Sequence, residues 1–119
     1  MKTITCVVVP VGQEPYAKEI CNDNSTIQEL VGGYFELVRL SNRLLLLCDE
    51  EAKLKGCEGN RRIGSEIIAG QFIIVGDSGE DFNSLDKYEV AAMIGRFRTP
   101  EHITPAEVED SCKITFGEW

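Results

Sequence analysis

The chain has 119 residues, enough for one domain with its own core, and its apolar and charged fractions are those of a soluble globular protein. It carries 20 Asp and Glu against 12 Lys and Arg, a net charge of −8. This balance excludes broad binding to duplex nucleic acid, which needs a dominant cationic face. Three explanations of the charge remain: solubility, a small anionic ligand held by a few local arginines, and an acidic surface that docks on a basic protein.

The five cysteines are an odd number, include no Cys-x-x-Cys pair and follow no signal peptide. They are therefore predicted to stay reduced and to pack as small apolar side chains. With His102 as the single histidine, neither a zinc site nor any other cofactor is expected. No targeting or transmembrane segment is recognisable, which predicts a cytoplasmic protein without a membrane partner.

Hydrophobic periodicity and turn residues divide the chain into strands and helices. The predicted strands are residues 3–9, 16–21, 34–40, 44–48 and 67–75, and the predicted helices begin near Ser25, Ser84 and Thr104. Gly32 and Gly33 end the first helix, since glycine accepts the left-handed conformation of a C-terminal cap. The second helix, residues 85–97, carries an apolar stripe that would pack on the sheet. The leucines at 44–47 are also compatible with a helix, but so short a run after a turn favours a strand.

These elements predict an α+β fold with a single domain at residues 1–98. A curved antiparallel sheet of about five strands carries one or two helices on one face, in the order β-β-α-β-β-β-α. Residues 99–119 form a C-terminal extension. Thr104-Pro105-x-Glu107 is typical of a helix start with proline at the first position, and residues 113–116 are compatible with an edge strand.

The sequence contains no convincing set of catalytic residues, so the protein is not expected to be an enzyme. His102 lies in the extension after a proline, which does not favour a thiol–imidazole pair. Adjacent acids such as Glu50 and Glu51 are usually solvated. The Gly-x-Gly-x-x-Gly and Gly-Lys-Ser/Thr loops that hold phosphates in nucleotide-hydrolysing and dinucleotide-redox folds do not occur.

Two loops of opposite character flank the apolar strand at residues 67–75. The upstream loop, residues 59–62, is basic, and its guanidinium groups are suited to binding phosphate. The alternative to a ligand site is a surface loop whose arginines pair with nearby acids. The downstream loop is acidic and carries an aromatic ring suited to stacking on a base; the alternative is packing of that ring in the core. The candidate ligand-binding residues are Asn60, Arg61, Arg62, Asp81, Phe82 and Arg98.

Six short blocks occur in a characteristic order and spacing. They are EPYAKEI at 14–20, LVGGYFE at 30–36, EEAKLKG at 50–56, NR at 60–61, IIAGQFIIVG at 67–76 and EDFNSL at 80–85. Together, from about residue 14 to 97, they resemble a small family of phages, prophages and mobile elements known as a domain of unknown function. The residues after Pro100 lie outside the resemblance.

The resemblance implies a phage or mobile-element origin, and small non-enzymatic proteins of that kind often act against host defence. One implied function is a sponge that sequesters, without degrading it, a nucleotide-derived immune signal such as a cyclic ADP-ribose isomer or a cyclic oligonucleotide. The three arginines would hold phosphates, Phe82 would stack on a base, and Asn60 or Asp81 would bind base or ribose hydroxyls. The alternative is an acidic inhibitor or DNA mimic that blocks a host defence protein. The acids are scattered rather than regularly spaced, which favours the sponge.

A strand at residues 67–75 would be about 30 Å long at roughly 3.3 Å per residue. The two loops at its ends could not contact one small ligand within a single chain. The protein is therefore expected to form a dimer or larger oligomer, with the pocket between chains.

Overall fold

A computed structural model describes the backbone of residues 2–117 and the side chains as far as Ser111. Its strands are β1 (Thr3–Val9), β2 (Tyr16–Cys21), β3 (Phe35–Arg39), β4 (Leu44–Asp49), β5 (Gly59–Ile63), β6 (Glu66–Ala69), β7 (Phe72–Asp77) and β8 (Phe82–Asn83). Its helices are α1 (Asn24–Val31), α2 (Lys87–Phe97) and α3 (Pro105–Gly117). The predicted α+β class with an antiparallel sheet is confirmed.

Strand β7 lies at the centre of the main sheet, whose order is β2-β1-β7-β4-β3. Both of its long neighbours are antiparallel to it: β1 pairs Val9 with Phe72, and β4 pairs Leu47 with Ile73. The short β8 also pairs with β7, at the end where β7 finishes. Strands β4 and β7 are covered on both faces, so their side chains are buried on both sides. This explains the unbroken apolar runs, and it confirms the leucine run as a strand.

The two faces of the main sheet are covered by different elements. Ile4 and Cys6 belong to the core on one face, together with Ile27 of α1. Val7 and Val9 belong to the core on the opposite face, which also includes residues of α2 and β6. The helices therefore lie on both faces rather than on one. Period-two alternation assigns side chains to two faces but does not say which helix covers each face.

The apolar run at residues 67–75 is two strands in different sheets, so the prediction of one strand is wrong. Strand β6 pairs with β5 in a separate two-stranded sheet, whereas β7 joins the main sheet. The chain bends at Gly70, whose φ of 77° lies in the left-handed region that glycine favours. The next residue, Gln71, donates its side-chain amide to the Leu30 carbonyl at 2.7 Å. The long rigid strand that implied a pocket between chains therefore does not exist.

Aspartates cap α1 and α2, in place of the predicted serines. Asp23 accepts a hydrogen bond from a first-turn amide of α1 at 2.7 Å. Asp86 accepts from the Glu89 amide at 2.8 Å, and the Glu89 carboxylate accepts from the Asp86 amide at 2.9 Å, which completes a capping box. The hydroxyl of Ser84 instead accepts from the Thr5 amide at 2.9 Å and ties the chain before α2 to β1. Sequence alone could not choose between neighbouring residues that offer equivalent capping oxygens.

The C-terminal extension is helical. Thr104 and Glu107 form the predicted capping arrangement at the start of α3: the Thr104 amide donates to the Glu107 carboxylate at 3.0 Å, and the Glu107 amide donates to the Thr104 hydroxyl at 3.2 Å. The backbone of residues 113–116, predicted as an edge strand, belongs to α3. Ile103 and Val108 pack against β6. Within the described part of the chain, no helix is long and apolar enough to cross a membrane.

Cys6 and Cys48 are buried free thiols in the sheet, whereas Cys21 and Cys57 are half-buried free thiols. Burial raises the pKa of Cys48 from its ordinary value of 9.0 to about 12, and the Glu36 carboxylate contributes to the rise. Burial also raises the pKa of Cys6 to about 11. The thiolate is the reactive form of cysteine, so both buried thiols are protected by their protonation as well as by their position.

We expect iodoacetamide at about pH 8, below the ordinary thiol pKa, to modify Cys21 and Cys57 in the folded protein and to leave Cys6 and Cys48 intact. Mass mapping of tryptic peptides measures this, and alkylation in urea, where all four react, is the control. Modification of Cys48 as fast as Cys57 in the folded protein would contradict the prediction. The unfolded thiols release protons at lower pH than the folded ones, so the free energy of unfolding should decrease as pH rises above about 9.

Candidate functional site

The basic segment predicted as a loop is strand β5, and its first polar side chain is buried. Asn60 has no exposed surface (0%), and its amide nitrogen donates to the Val9 carbonyl at 2.8 Å and to the Gly70 carbonyl at 2.9 Å. These bonds join the end of β1 to the bend between β6 and β7. The prediction of an exposed loop is therefore wrong at Asn60, whose side-chain amide is hydrogen-bonded inside the protein. A ligand-binding role of Asn60 stays a prediction.

Arg61 is the largest fully buried side chain, with 1% of its surface exposed. Its Nε and Nη2 donate to the Phe97 carbonyl at 3.2 and 2.8 Å, and Nη2 also donates to the Gln13 carbonyl at 2.8 Å. Its Nη1 donates to Oδ1 of Asn60 at 2.6 Å. Burial lowers the pKa of Arg61, and the nearby Glu101 carboxylate opposes that shift. The guanidinium fastens α2 and the β1–β2 turn to β5 and is not exposed as predicted. A phosphate-binding role of Arg61 stays a prediction.

Arg62 is exposed, and it follows Arg61 in the part of β5 beyond the register shift between Gly59 and Arg61, where successive side chains point to opposite faces. Its guanidinium pairs with Glu101 at 3.1 Å and with Glu107, and its backbone amide donates to Glu101 at 3.0 Å. The hydrogen bond to Glu107, followed by that to Glu101, raises the pKa of Arg62. Arg62 thus adopts the alternative of a surface residue paired with acids, and it fastens the C-terminal extension to β5.

Phe82 and Asp81 lie at the far end of β7 from Arg61. The Phe82 ring is half-buried and packs against Phe35, with ring centroids 6.1 Å apart, which is the core-packing alternative. Asp81 is exposed and accepts a hydrogen bond from the Phe82 amide at 2.8 Å. Arg98 is exposed directly after α2. The length of β7 separates the two groups by about 17 Å at roughly 3.3 Å per residue, so the six predicted residues do not form one site.

A cavity of about 700 Å³ lies between three segments that are distant in the sequence. These segments are the β1–β2 turn, the loop from β4 to β5, and the beginning of the C-terminal extension. Apolar side chains form much of the wall, namely Val11, Leu54, Ile103 and Val108. None of the six residues predicted from the sequence lines this cavity.

The polar groups of the cavity are mostly acidic. Glu58, Glu101 and Glu109 face it, together with Lys53 and the single imidazole, His102. Glu101 is already paired with β5, whereas Glu58 and Glu109 take part in no ion pair among the side chains described up to Ser111. A ligand with several separated phosphates would be repelled by this lining. An apolar ring system with hydroxyl or amine donors and one compact anionic group would suit it better.

Lys55 anchors the loop from β4 to β5, which forms one wall of the cavity. Its ammonium pairs with the buried Asp49 carboxylate at 2.5 Å and donates to the Gly32 carbonyl at 3.0 Å. The hydrogen bond to Asp49 raises the pKa of Lys55. A Cβ at Gly33 would lie 3.0 Å from the Lys55 Nζ, so a side chain there would press on this ion pair. Two of the sequence blocks that carry the family resemblance therefore meet at this ion pair.

A second cavity, of about 380 Å³, lies on the other side of the same loop, between β3 and β6. Lys53 and Leu54 line both cavities, so this loop is the partition between them. Glu36 and Val38 contribute to the second cavity from β3, and Glu66 contributes from β6. Its floor is the apolar surface of β6.

Residues 3–98 match a family model described as Domain of unknown function (DUF3846). Comparisons with curated proteins and with solved structures each found no match. The matched region contains all eight strands together with α1 and α2, and α3 follows it. The predicted resemblance to a family of unknown function is thereby confirmed for most of the chain. The protein belongs to the DUF3846 family.

Proposed function

We propose that the protein is a non-enzymatic anti-defence protein of phage or mobile-element origin. In this proposal it sequesters a nucleotide-derived immune signal in the cytoplasm of the host cell. The observation that carries the proposal is the cavity of about 700 Å³, which is formed within one chain. Small-molecule sites usually enclose about 300–1,000 Å³ and combine apolar walls with a few convergent polar groups, and this cavity has both properties.

The lining suggests how such a ligand would be held. A purine base would pack between Leu54 on the loop side and Ile103 and Val108 on the extension side. The carboxylates of Glu58 and Glu109 would accept hydrogen bonds from ribose hydroxyls, because an ionised carboxylate is a strong acceptor for hydroxyl groups. The residues with these roles differ from those predicted from the sequence, although the class of ligand is the same.

The charge of the lining favours one kind of immune signal over another. Among the side chains that the structure describes, Lys53 and His102 are the basic ones that line the cavity. Two basic side chains suit one compact pyrophosphate, as in a cyclic ADP-ribose isomer. A cyclic oligonucleotide has several separated phosphates, and at least one of them would lie close to Glu58 or Glu109, where like charges repel. We therefore favour the cyclic ADP-ribose isomers.

The test is a thermal-shift panel containing a cyclic ADP-ribose isomer, a cyclic dinucleotide, a cyclic trinucleotide and adenosine. We expect the cyclic ADP-ribose isomer to raise the melting temperature, and Glu58→Leu to weaken its binding at least tenfold by calorimetry, as expected for a lost charge-assisted hydrogen bond. Glu80→Leu removes an equally exposed acid outside the cavity and should change affinity less than twofold. Equal effects of the two variants, or no shift with any compound, would refute the site.

A second measurement separates sequestration from catalysis. Because Cys57 and His102 both line the cavity, cleavage of the ligand is the outcome that must be excluded. The protein is incubated with the bound compound and then denatured by heat, and the released molecule is analysed by liquid chromatography. Recovery of the intact compound supports sequestration, whereas a cleaved product that disappears in Cys57→Ser would show that the protein is an enzyme.

A further inference from the structure

Strand β3 ends one side of the main sheet, and no described strand pairs with its outer edge. The Glu50 amide donates to the Tyr34 carbonyl at 3.0 Å, and the Leu40 amide donates to the Leu44 carbonyl at 2.9 Å. In an antiparallel ladder, every second residue turns its amide and carbonyl towards the neighbouring strand, and the others turn them away. The residues whose amide and carbonyl groups face outward are therefore Phe35, Leu37 and Arg39.

The side chains of this edge differ between the two faces of the sheet. Leu37 lies on the α1 face, opposite Leu47, and 53% of its surface is exposed. Glu36 and Val38 lie on the other face and line the cavity of about 380 Å³. A strand added to β3 would place its alternate side chains beside Leu37 and beside Glu36, because successive residues point to opposite faces.

The face of Glu36 is acidic. Glu36, Glu50 and Glu66 all line the second cavity, and the one cation among its described lining residues is Lys53, at 3.9 Å from Glu66. Among the described side chains, Glu36 and Glu50 take part in no ion pair. The apolar surface of Ile68 and its neighbours in β6 lies beneath them. The groove thus combines an apolar floor with uncompensated negative charge along an open strand edge.

We propose that the outer edge of β3 binds an extended segment of a partner protein in which basic and apolar residues alternate. The segment adds a strand to the sheet through the outward amide and carbonyl groups, the mode known as β-strand addition. Its basic side chains point to the Glu36 face and pair with the carboxylates there, and its apolar side chains cover Leu37. This inference concerns a different surface from the small-molecule cavity and does not depend on it.

The negative charge beside β3 favours a basic segment of a partner protein over a second copy of the same chain. Two copies paired through β3 would bring two sets of Glu36 and Glu50 together, on chains that each carry a net charge of −8. The opposite edge of the sheet, β2, is a less suitable platform. It carries the neighbouring opposite charges of Lys18 and Glu19, and it lines neither cavity.

The probe is a blocked peptide of alternating lysine and valine, labelled with a fluorophore and titrated with the full-length protein by fluorescence polarisation. We expect it to bind, and we expect a peptide of the same composition arranged as a lysine block and a valine block to bind at least tenfold more weakly. Methyl groups on every second amide nitrogen block one edge of the peptide strand. The peptide methylated on the edge that pairs with β3 should not bind. The peptide methylated on the opposite edge should still bind. Equal binding of the ordered and block peptides would overturn the proposal.

Two charge reversals locate the binding surface. Glu36→Lys should weaken binding of the alternating peptide at least tenfold, whereas Glu19→Lys makes the same change of charge on the opposite edge strand and should change it less than twofold. Equal losses would show general attraction to an acidic protein and would refute the β3 edge. A dimer that dissociates in Leu37→Lys and excludes the peptide would show that a second copy occupies the edge, which also refutes the proposal. Amide spectra of each variant confirm its fold.

Discussion

Replacement of Arg61 with methionine is expected to lower the free energy of unfolding by about 3–5 kcal/mol, because each buried polar group left without its partner costs about 1–3 kcal/mol. Methionine fills much of the space, but the carbonyls of Phe97 and Gln13 and the Asn60 side-chain oxygen lose their donors. Domains of this size are stable by about 5–15 kcal/mol, so the loss is a large fraction of the total. Urea denaturation followed by circular dichroism measures it.

The adjacent Arg62→Met is the matched control, since it makes the same chemical change one residue along the strand. Arg62 is exposed and its partners Glu101 and Glu107 return to water when it is removed. Surface pairs of this kind contribute little to stability, so the loss should be far smaller than for Arg61→Met. If the two variants lose equal stability, the buried hydrogen-bond network does not have the role assigned to it.

Gly59→Ala is expected to displace the C-terminal extension and to lower the free energy of unfolding by about 1–3 kcal/mol, the usual cost of overpacking. A Cβ at this position would lie 2.7 Å from Cγ2 and 2.8 Å from Cβ of Ile103, and 3.0 Å from Cγ2 of Val108. The buried hydrogen bonds of Asn60 and Arg61 anchor β5, so we expect the extension to move instead. Limited proteolysis should then cut the extension sooner than in the unchanged protein, and urea denaturation gives the loss of stability.

Two further variants make this prediction specific. Gly95→Ala adds the same methyl group to an exposed helical glycine with no neighbour within 4 Å, and it should raise stability by roughly 0.5–1 kcal/mol. Ile103→Ala removes the atom that the new Cβ meets first, so the double variant with Gly59→Ala should lose less than the sum of the single losses. Strict additivity of the two losses would mean that Gly59 and Ile103 do not interact.

Local patterns predicted the elements whose signal is contained within a few residues. The β-branched run in Thr3–Val9 and the glycine pair after α1 are such signals, and both led to correct elements. The break at Gly70 was not predicted, because Gly70 and Gln71 are a short interruption with apolar residues on both sides. The run is divided because its two halves pair with different strands. The first half pairs with β5, and the second half pairs with β1 and β4.

The candidate site was less predictable than the fold. From the sequence, Arg61 and Arg62 are equivalent cations, and only the placement of β5 in the structure buries one and exposes the other. The cavity is formed by segments separated by as much of the chain as lies between Val11 and Val108. No periodicity links such distant segments. The block at 50–56 and the lone His102 could be recognised in the sequence, but their proximity in the structure could not be predicted.

The position of β7 at the centre of the sheet determines when the protein can complete its fold during synthesis. Strand β1 leaves the ribosome first and β2 can pair with it at once, and β3 and β4 form a second local pair. Neither pair can join the other until β7 emerges, because β7 is the strand that connects them. Until then the inner edges of β1 and β4 stay open, and such edges favour pairing between chains. Assembly of the sheet therefore waits for Phe72–Asp77, and the rate of elongation across that interval sets how long the nascent chain is exposed to aggregation.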